Sequence, residues 1–438
     1  MKQSIRLVVL LVFCCPQIRA EPSLHSPQEL REDLDALLDF VDRTHPDIRH
    51  SADPRALDRA VKEVRAHLDR PMTQVQAWRQ LSKLNPQFAD GHLFIGLPDW
   101  RADAKRHLQR GGTLFPYEVH VDARGDVFVQ TMLGGGPTAL AGARIESIDG
   151  VAARRIARQL LAHVHGDTPA FRAHLLSQRW WLYYWKVFGE RDSYTLRIAG
   201  ARQVVAGSKR LPAMIASEDS FDRQFGLELL DNEAAVLNLD SFAWPDKAGF
   251  REFTRKSFEQ LRDSRVPTLI IDIRNNGGGD DDLWIEGIMP YIATRPYRTG
   301  SSYRVRIIEG RAAPGEKVGD VRSGEQGTWI QPEPENPLRF AGRVYVLVGP
   351  GTYSSAVLFS NVMQDFGFGT VVGEGGAVRS SQSGGVQSKS LPHTGLIVYS
   401  PRFVLTRPAG AEGWVQPSIA IPDDPARPRA SVEAVLGR

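Results

Sequence analysis

Cysteine is nearly missing from this sequence. Of 438 residues only two are cysteine, and both, Cys14 and Cys15, stand side by side near the N-terminus. Lys2 and Arg6 precede an unbroken apolar run from Leu7 to Phe13, and Ile18-Arg19-Ala20 then leads to Glu21. This reads as a secretory signal peptide over residues 1–20, with an apolar run too short to anchor in a bilayer. A lipoprotein site at Cys14 is the alternative, disfavoured by the bulky Phe13 before it. Removal of the segment leaves no cysteine, which excludes disulfides, thiol catalysis and cysteine-ligated metal. It also removes Lys2, Arg6 and Arg19 from a formal net charge of +3 and leaves none. No basic footprint for nucleic acid then remains. No later stretch has the length of a membrane span. His163 and His165 lack the acids or cysteines that would complete a metal site, so neither metal nor cofactor is expected.

What is present reads as several modules, as the length implies. Residues 21–110 open with helices. Ser26-Pro27, Asp53-Pro54 and Thr73 are start signals, each followed by apolar residues at helical spacing, with the third helix ending near Asn85-Pro86. Residues 111–205 change to short alternating strands and turns. Trp180, Trp181, Tyr183, Tyr184, Trp185 and Phe188 form a cluster that serves either as a buried helix or as an apolar subsite. From 225 to 425 the pattern is α/β, with buried strands at Thr268–Ile273 and Arg343–Val348. Residues 300–340 are polar and read as a surface excursion, a candidate flap. Residues 426–438 read as a tail.

Two turns carry chemistry. Gly349-Pro350-Gly351-Thr352-Tyr353-Ser354-Ser355-Ala356 lies between a buried strand and a helix. A serine there sits at a helix N-terminus, where free amides favour an anion such as an acyl-transfer oxyanion. A helix cap is the plainer use of the same residue. The second turn, Asp272-Ile273-Arg274-Asn275-Asn276-Gly277-Gly278-Gly279, ends a buried strand in three glycines. Such glycines allow close backbone approach and an anion-binding nest. A phosphate loop is excluded by the missing lysine. Asp272 and Arg274 read as braces of the turn, and Asp280-Asp281-Asp282 as a solvated helix start.

Together these segments resemble the tail-specific, or C-terminal-processing, serine peptidases of family S41. Leu140–Val151 is similar to the glycine-turn core of a PDZ domain. The resemblance implies an α+β multidomain fold: an N-terminal helical region, a PDZ-like β-rich domain and an α/β core of the ClpP/crotonase kind. It places the nucleophile at Ser354, with Ser355 as the other register, the oxyanion hole at Gly277, Gly278 and the Ser355 amide, and a substrate contact at Tyr353. The lysine base of one branch falls near Arg379, and arginine stays protonated. Ala89-Asp90-Gly91-His92 is similar instead to the histidine element of the tricorn-like Ser–His–Glu branch. That branch places the base at His92 and the acid at Glu412, in Ala411-Glu412-Gly413-Trp414. His393 is the rival histidine.

The expected function is therefore hydrolysis of peptides or unfolded protein segments through an acyl-enzyme at Ser354, with His92 as general base. The superfamily also contains a retinoid-binding protein not known for proteolysis. A binding homologue, or an esterase, is thus the alternative. The sequence leaves substrate and oligomeric state open.

Overall fold

The computed structural model describes residues 23–230, 233–424 and 427–437; the expected signal peptide lies outside them. The N-terminal start signals act as read. Ser26 and Glu29 form a capping box on helix Pro27–Thr44, Asp53 caps Pro54–Ala66, and Thr73 with Gln76 caps Gln74–Leu81. Pro86 does not end this region. It lies in the first turn of a short helix, Asn85–Phe88, where its missing N–H costs nothing. A further helix, Trp100–Gln109, carries too little apolar periodicity to be read from sequence.

The second module is an antiparallel sheet in the order Tyr117–Val121, Val127–Met132, Arg144–Ile148, Ser193–Ile198, Ala201–Ala206. Helix Pro169–Phe188 packs on it. Trp180, Trp181, Tyr183 and Tyr184 are buried on that helix, Trp180 and Tyr184 against Phe115, Tyr183 against Trp78 and Trp181 against Trp100, so these aromatics are core and not an open subsite.

The core module holds a six-stranded sheet in the order Phe225–Leu230, Ala234–Leu239, Thr268–Asp272, Arg343–Val348, Thr370–Gly373, Ile419–Ala420, parallel after the first pair. Thr268–Asp272 and Arg343–Val348 are neighbours, with Asp272 opposite Leu347. Both chemistry-bearing turns therefore leave the sheet at the same edge, as ligand sites of parallel sheets do. The 300–340 excursion is not a structureless flap. Ser302–Arg306 and Val321–Glu325 form an antiparallel pair, continued by Phe403–Leu405 and Gln382–Gly384. The segment read as a tail includes helix Ala430–Leu436, whose Val432 and Val435 cluster with Ile270 and Leu347 of the sheet. Among the described residues no helix is long and apolar enough to cross a membrane.

One pairing brings the chain's distant parts together. Strand Phe94–Gly96, just after His92, adds antiparallel to Ile397–Ser400 of the core module, with Phe94 opposite Tyr399. The histidine element thus enters the core as a sheet strand, fixed by backbone bonds.

Candidate active site

The serine turn is built by hydrogen bonds between the two motif loops. The Thr352 hydroxyl donates to the Ile273 carbonyl at 2.8 Å and accepts from the Gly349 amide at 3.0 Å. The Tyr353 amide donates to the Asn276 carbonyl at 2.9 Å. Arg274 grips Asp272 with two nitrogens and reaches Asp423 at 2.8 Å, so both Asp272 and Arg274 brace the turn. Gly278 lies against the serine: a Cβ there would stand 2.6 Å from Ser354 Cβ and 2.8 Å from the Ser355 nitrogen.

Ser354 holds φ 53° and ψ −124° immediately before helix Ser355–Asp365, and its side chain makes no capping bond. A non-glycine residue in this region costs on the order of 1–3 kcal/mol, and such strain concentrates at functional sites. The cap reading fails on this geometry. The Ser354 amide donates to Gln382 Oε1 at 2.9 Å, while no hydrogen bond to its hydroxyl occurs among the described residues. Ser355 is differently placed. Its buried hydroxyl accepts from Trp284 Nε1 at 2.9 Å and donates to Asp281. Asp281, read as part of a solvated run, is thus tied into the core below the serine, where burial raises its carboxyl despite the Ser355 and Trp284 bonds.

The expected oxyanion donors divide. The Gly278 amide already donates to Asn276 Oδ1 at 2.9 Å and is not available. The Gly277 and Ser355 amides have no acceptor among the described residues. Tyr353 is 6% exposed, stacked on Phe171, with its hydroxyl donating to Asp167 at 3.0 Å and accepting from the Gly91 amide at 2.9 Å. It is therefore an internal anchor and not a surface for substrate. Gly91 is required by the same contact, since a Cβ there would lie 2.5 Å from the Tyr353 ring.

His92 lies beside this anchor, its ring centroid 4.8 Å from that of Tyr353, the residue before Ser354. No hydrogen bond joins His92 to Ser354 among the described residues. His92 Nδ1 is 3.0 Å from the Ser383 hydroxyl, which donates to Asp90 Oδ1 at 2.9 Å. The His92 amide donates to the same Asp90 oxygen at 2.7 Å. Burial lowers the imidazole below its ordinary value, and the Asp90 charge opposes that. Burial alone would raise the Asp90 carboxyl, but the His45 and His92 imidazoles and the His92 amide outweigh it and hold it well below the carboxylate range.

The expected acid is not brought in. Glu412 is exposed and makes no hydrogen bond or ion pair among the described residues; its neighbours Gly413 and Val415 pair through their backbone with Ser380 and Val378. Arg379 is structural: its guanidinium donates to the Ala89 carbonyl at 2.6 Å and its amide to Asp167 at 2.9 Å. His393 belongs elsewhere, bonded to Glu32 at 2.7 Å and to Asp33 of the first helix. His163 bonds Ser82 and stacks on Trp78, and burial pushes it down to about 4, so it is a core histidine. Asp167 was not singled out by sequence. It accepts from the amides of Gly91 and Arg379 and from Tyr353, while burial and the Asp90 charge raise it to about 6. Its signal is faint, an acid just before the Thr168-Pro169 helix start.

A parallel sheet with a strained serine at a strand-to-helix turn and a glycine-rich loop against it defines a serine-type peptidase core. Residues 233–421 match the model of peptidase family S41. The fold is similar to that of mature CPAF, at 14% identity over 93% of this chain and 96% of that one, with a TM-score of 0.62. It is likewise similar to mature CPAF complexed with lactacystin, at 14% identity over 93% and 97%, with a TM-score of 0.64. No curated protein matches the chain.

Proposed function

We propose that the protein is an exported serine endopeptidase that cleaves peptide bonds through an acyl-enzyme on Ser354, with His92 as general base. The observation that carries the reading is the conformation of Ser354: strained, uncapped, its hydroxyl unengaged, and packed on Gly278. His92 takes the Ser354 proton as the hydroxyl attacks the substrate carbonyl, then returns it to the leaving amine. The Gly277 and Ser355 amides receive the oxyanion. Water then attacks the acyl-enzyme with His92 again as base. A histidine kept neutral by burial suits the first step at neutral pH. The Ser354–His92 bond forms on closure, since catalytic hydrogen bonds are often made only when substrate tightens a site. The leader at 1–20 supports export, and the Leu140–Val151 pattern supports a PDZ-like module that offers substrate an edge strand.

The test is labelling of the mature protein with a fluorophosphonate probe, with mapping of the labelled peptide. Wild type is expected to label at Ser354, Ser354→Ala not at all, and His92→Ala several hundredfold more slowly. Labelling that survives in Ser354→Ala overturns the nucleophile. No labelling of any form supports the binding homologue instead, and labelling without cleavage of fluorescein-casein supports an esterase.

A further inference from the structure

The proposed base needs a partner on its far nitrogen, and Glu412 does not supply one. We infer that Ser383 and Asp90 together take the place of the triad acid, the Ser383 hydroxyl relaying the Asp90 charge to His92 Nδ1. This rests on the Ser354–His92 reading and adds two positioning residues to it.

The Ser383 hydroxyl has one proton, and it lies 2.9 Å from Asp90 Oδ1. Asp90 is ionised, because its own amide contact from His92 at 2.7 Å and the surrounding imidazoles favour the carboxylate. The Ser383 proton therefore points to Asp90. What Ser383 then offers His92, at 3.0 Å, is a lone pair. Nδ1 must carry the ring proton to use it, and Nε2 is left unprotonated, which is the tautomer a general base requires. The second amide bond matters as well. Asp90 also holds the backbone of His92, so one carboxylate fixes the position of the residue and, through Ser383, its ring. Ser383 itself cannot wander. It is buried in strand Gln382–Gly384, opposite Val404, and the preceding Gln382 holds the Ser354 amide. Nucleophile and relay are thus set by adjacent residues of one strand.

The charged groups around this relay come from all three modules. His45 and His50 face Asp90 from the N-terminal region and His165 and Asp167 from the second module, while Tyr353 and Arg379 of the core hold Asp167. None of them bonds His92 Nδ1, so none substitutes for Ser383.

The experiment uses the rate of fluorophosphonate inactivation of the mature protein as a function of pH, which needs no knowledge of the natural substrate. Ser383→Ala is expected to slow inactivation about ten- to hundredfold at neutral pH, the value of one hydrogen bond to a developing imidazolium. Ser383→Thr keeps the hydroxyl and should restore most of that rate. Asp90→Asn removes the charge that holds the His92 imidazole up, so the acid limb of its pH profile should move to lower pH. Glu412→Gln should match wild type in rate and profile. The relay is overturned if Ser383→Ala and Asp90→Asn, folded by circular dichroism, keep the wild-type rate and acid limb, or if Glu412→Gln alone moves them. The underlying base assignment fails separately, if His92→Ala inactivates as fast as wild type.

Discussion

Ser354 offers a measurement that separates catalytic strain from helix capping. At φ 53° and ψ −124° the residue pays about 1–3 kcal/mol for a conformation that glycine adopts freely. Ser354→Gly removes that strain but gains about 0.5–1 kcal/mol of unfolded-state freedom. The net expectation is a protein more stable than wild type by roughly 0.5–2 kcal/mol. Ser354→Ala keeps Cβ, and therefore keeps the strain. Because the side chain makes no bond to lose, its stability should stay near wild type, within about 0.5 kcal/mol. Were Ser354 a helix cap, the order would invert: alanine would cost about 1 kcal/mol and glycine would fall slightly below serine. Scanning calorimetry reads the difference, since for a cooperative unit of this size 1 kcal/mol moves the midpoint by about 1–3 °C. Both variants lose fluorophosphonate labelling. A glycine variant no more stable than wild type, together with a destabilised alanine variant, refutes the strain argument and with it the main support for Ser354 as nucleophile.

Other positions divide by the same geometry. Gly278→Ala should lower the midpoint and slow labelling at least tenfold, because its Cβ would stand 2.6 Å from Ser354 Cβ at φ +95°, whereas Gly277→Ala, with open space around it, should label normally. Ser355→Ala should cost about 1–3 kcal/mol by leaving Asp281 and Trp284 short of a partner, yet leave Ser354 labelling intact, since the proposed role belongs to the Ser355 amide and not to its hydroxyl. The Asp167 carboxyl, raised to about 6, binds a proton in the folded state that the unfolded chain has already released above about pH 4. Its contribution to stability is therefore fullest at low pH and declines as pH rises through about 4 to 6. Urea unfolding at pH 4 and pH 7 should show that slope in wild type and lose it in Asp167→Asn. An identical slope in both would exonerate this group.

How much of this was legible in the sequence depends on how local each signal was. The capped helices, the buried strands and the two turns depend on neighbours a few residues away, and Ser26 and Thr73 cap their helices where their local pattern put them. The strands of the 300–340 excursion were not legible, because Val321–Glu325 is almost wholly exposed and shows no apolar alternation. The acid was not legible either. Glu412 sits in a motif of the right form, but partnership with His92 is a matter of three-dimensional reach. Ser383, 291 residues from His92, occupies the place at Nδ1. Asp167 carried no motif at all. Its role comes from Gly91, 76 residues before it, and from Tyr353 and Arg379 in the core.

That last group ties the upstream histidine element to the serine turn. No direct bond among the described residues holds His92 to Ser354. Gly91 beside His92 and Tyr353 beside Ser354 are joined instead at the Gly91–Tyr353–Asp167 junction, where one residue comes from each segment. Each bond to the Asp167 carboxylate is of the charge-assisted kind, about 1.5–3 kcal/mol while the carboxylate is ionised, and each is lost if the second module shifts by an ångström or two. In the proposed mechanism, the labelling rate then reports the docking of all three segments and not the folding of the core sheet alone. A change at their interface, far from any reacting atom, should accordingly lower the labelling rate before it lowers the stability of the core.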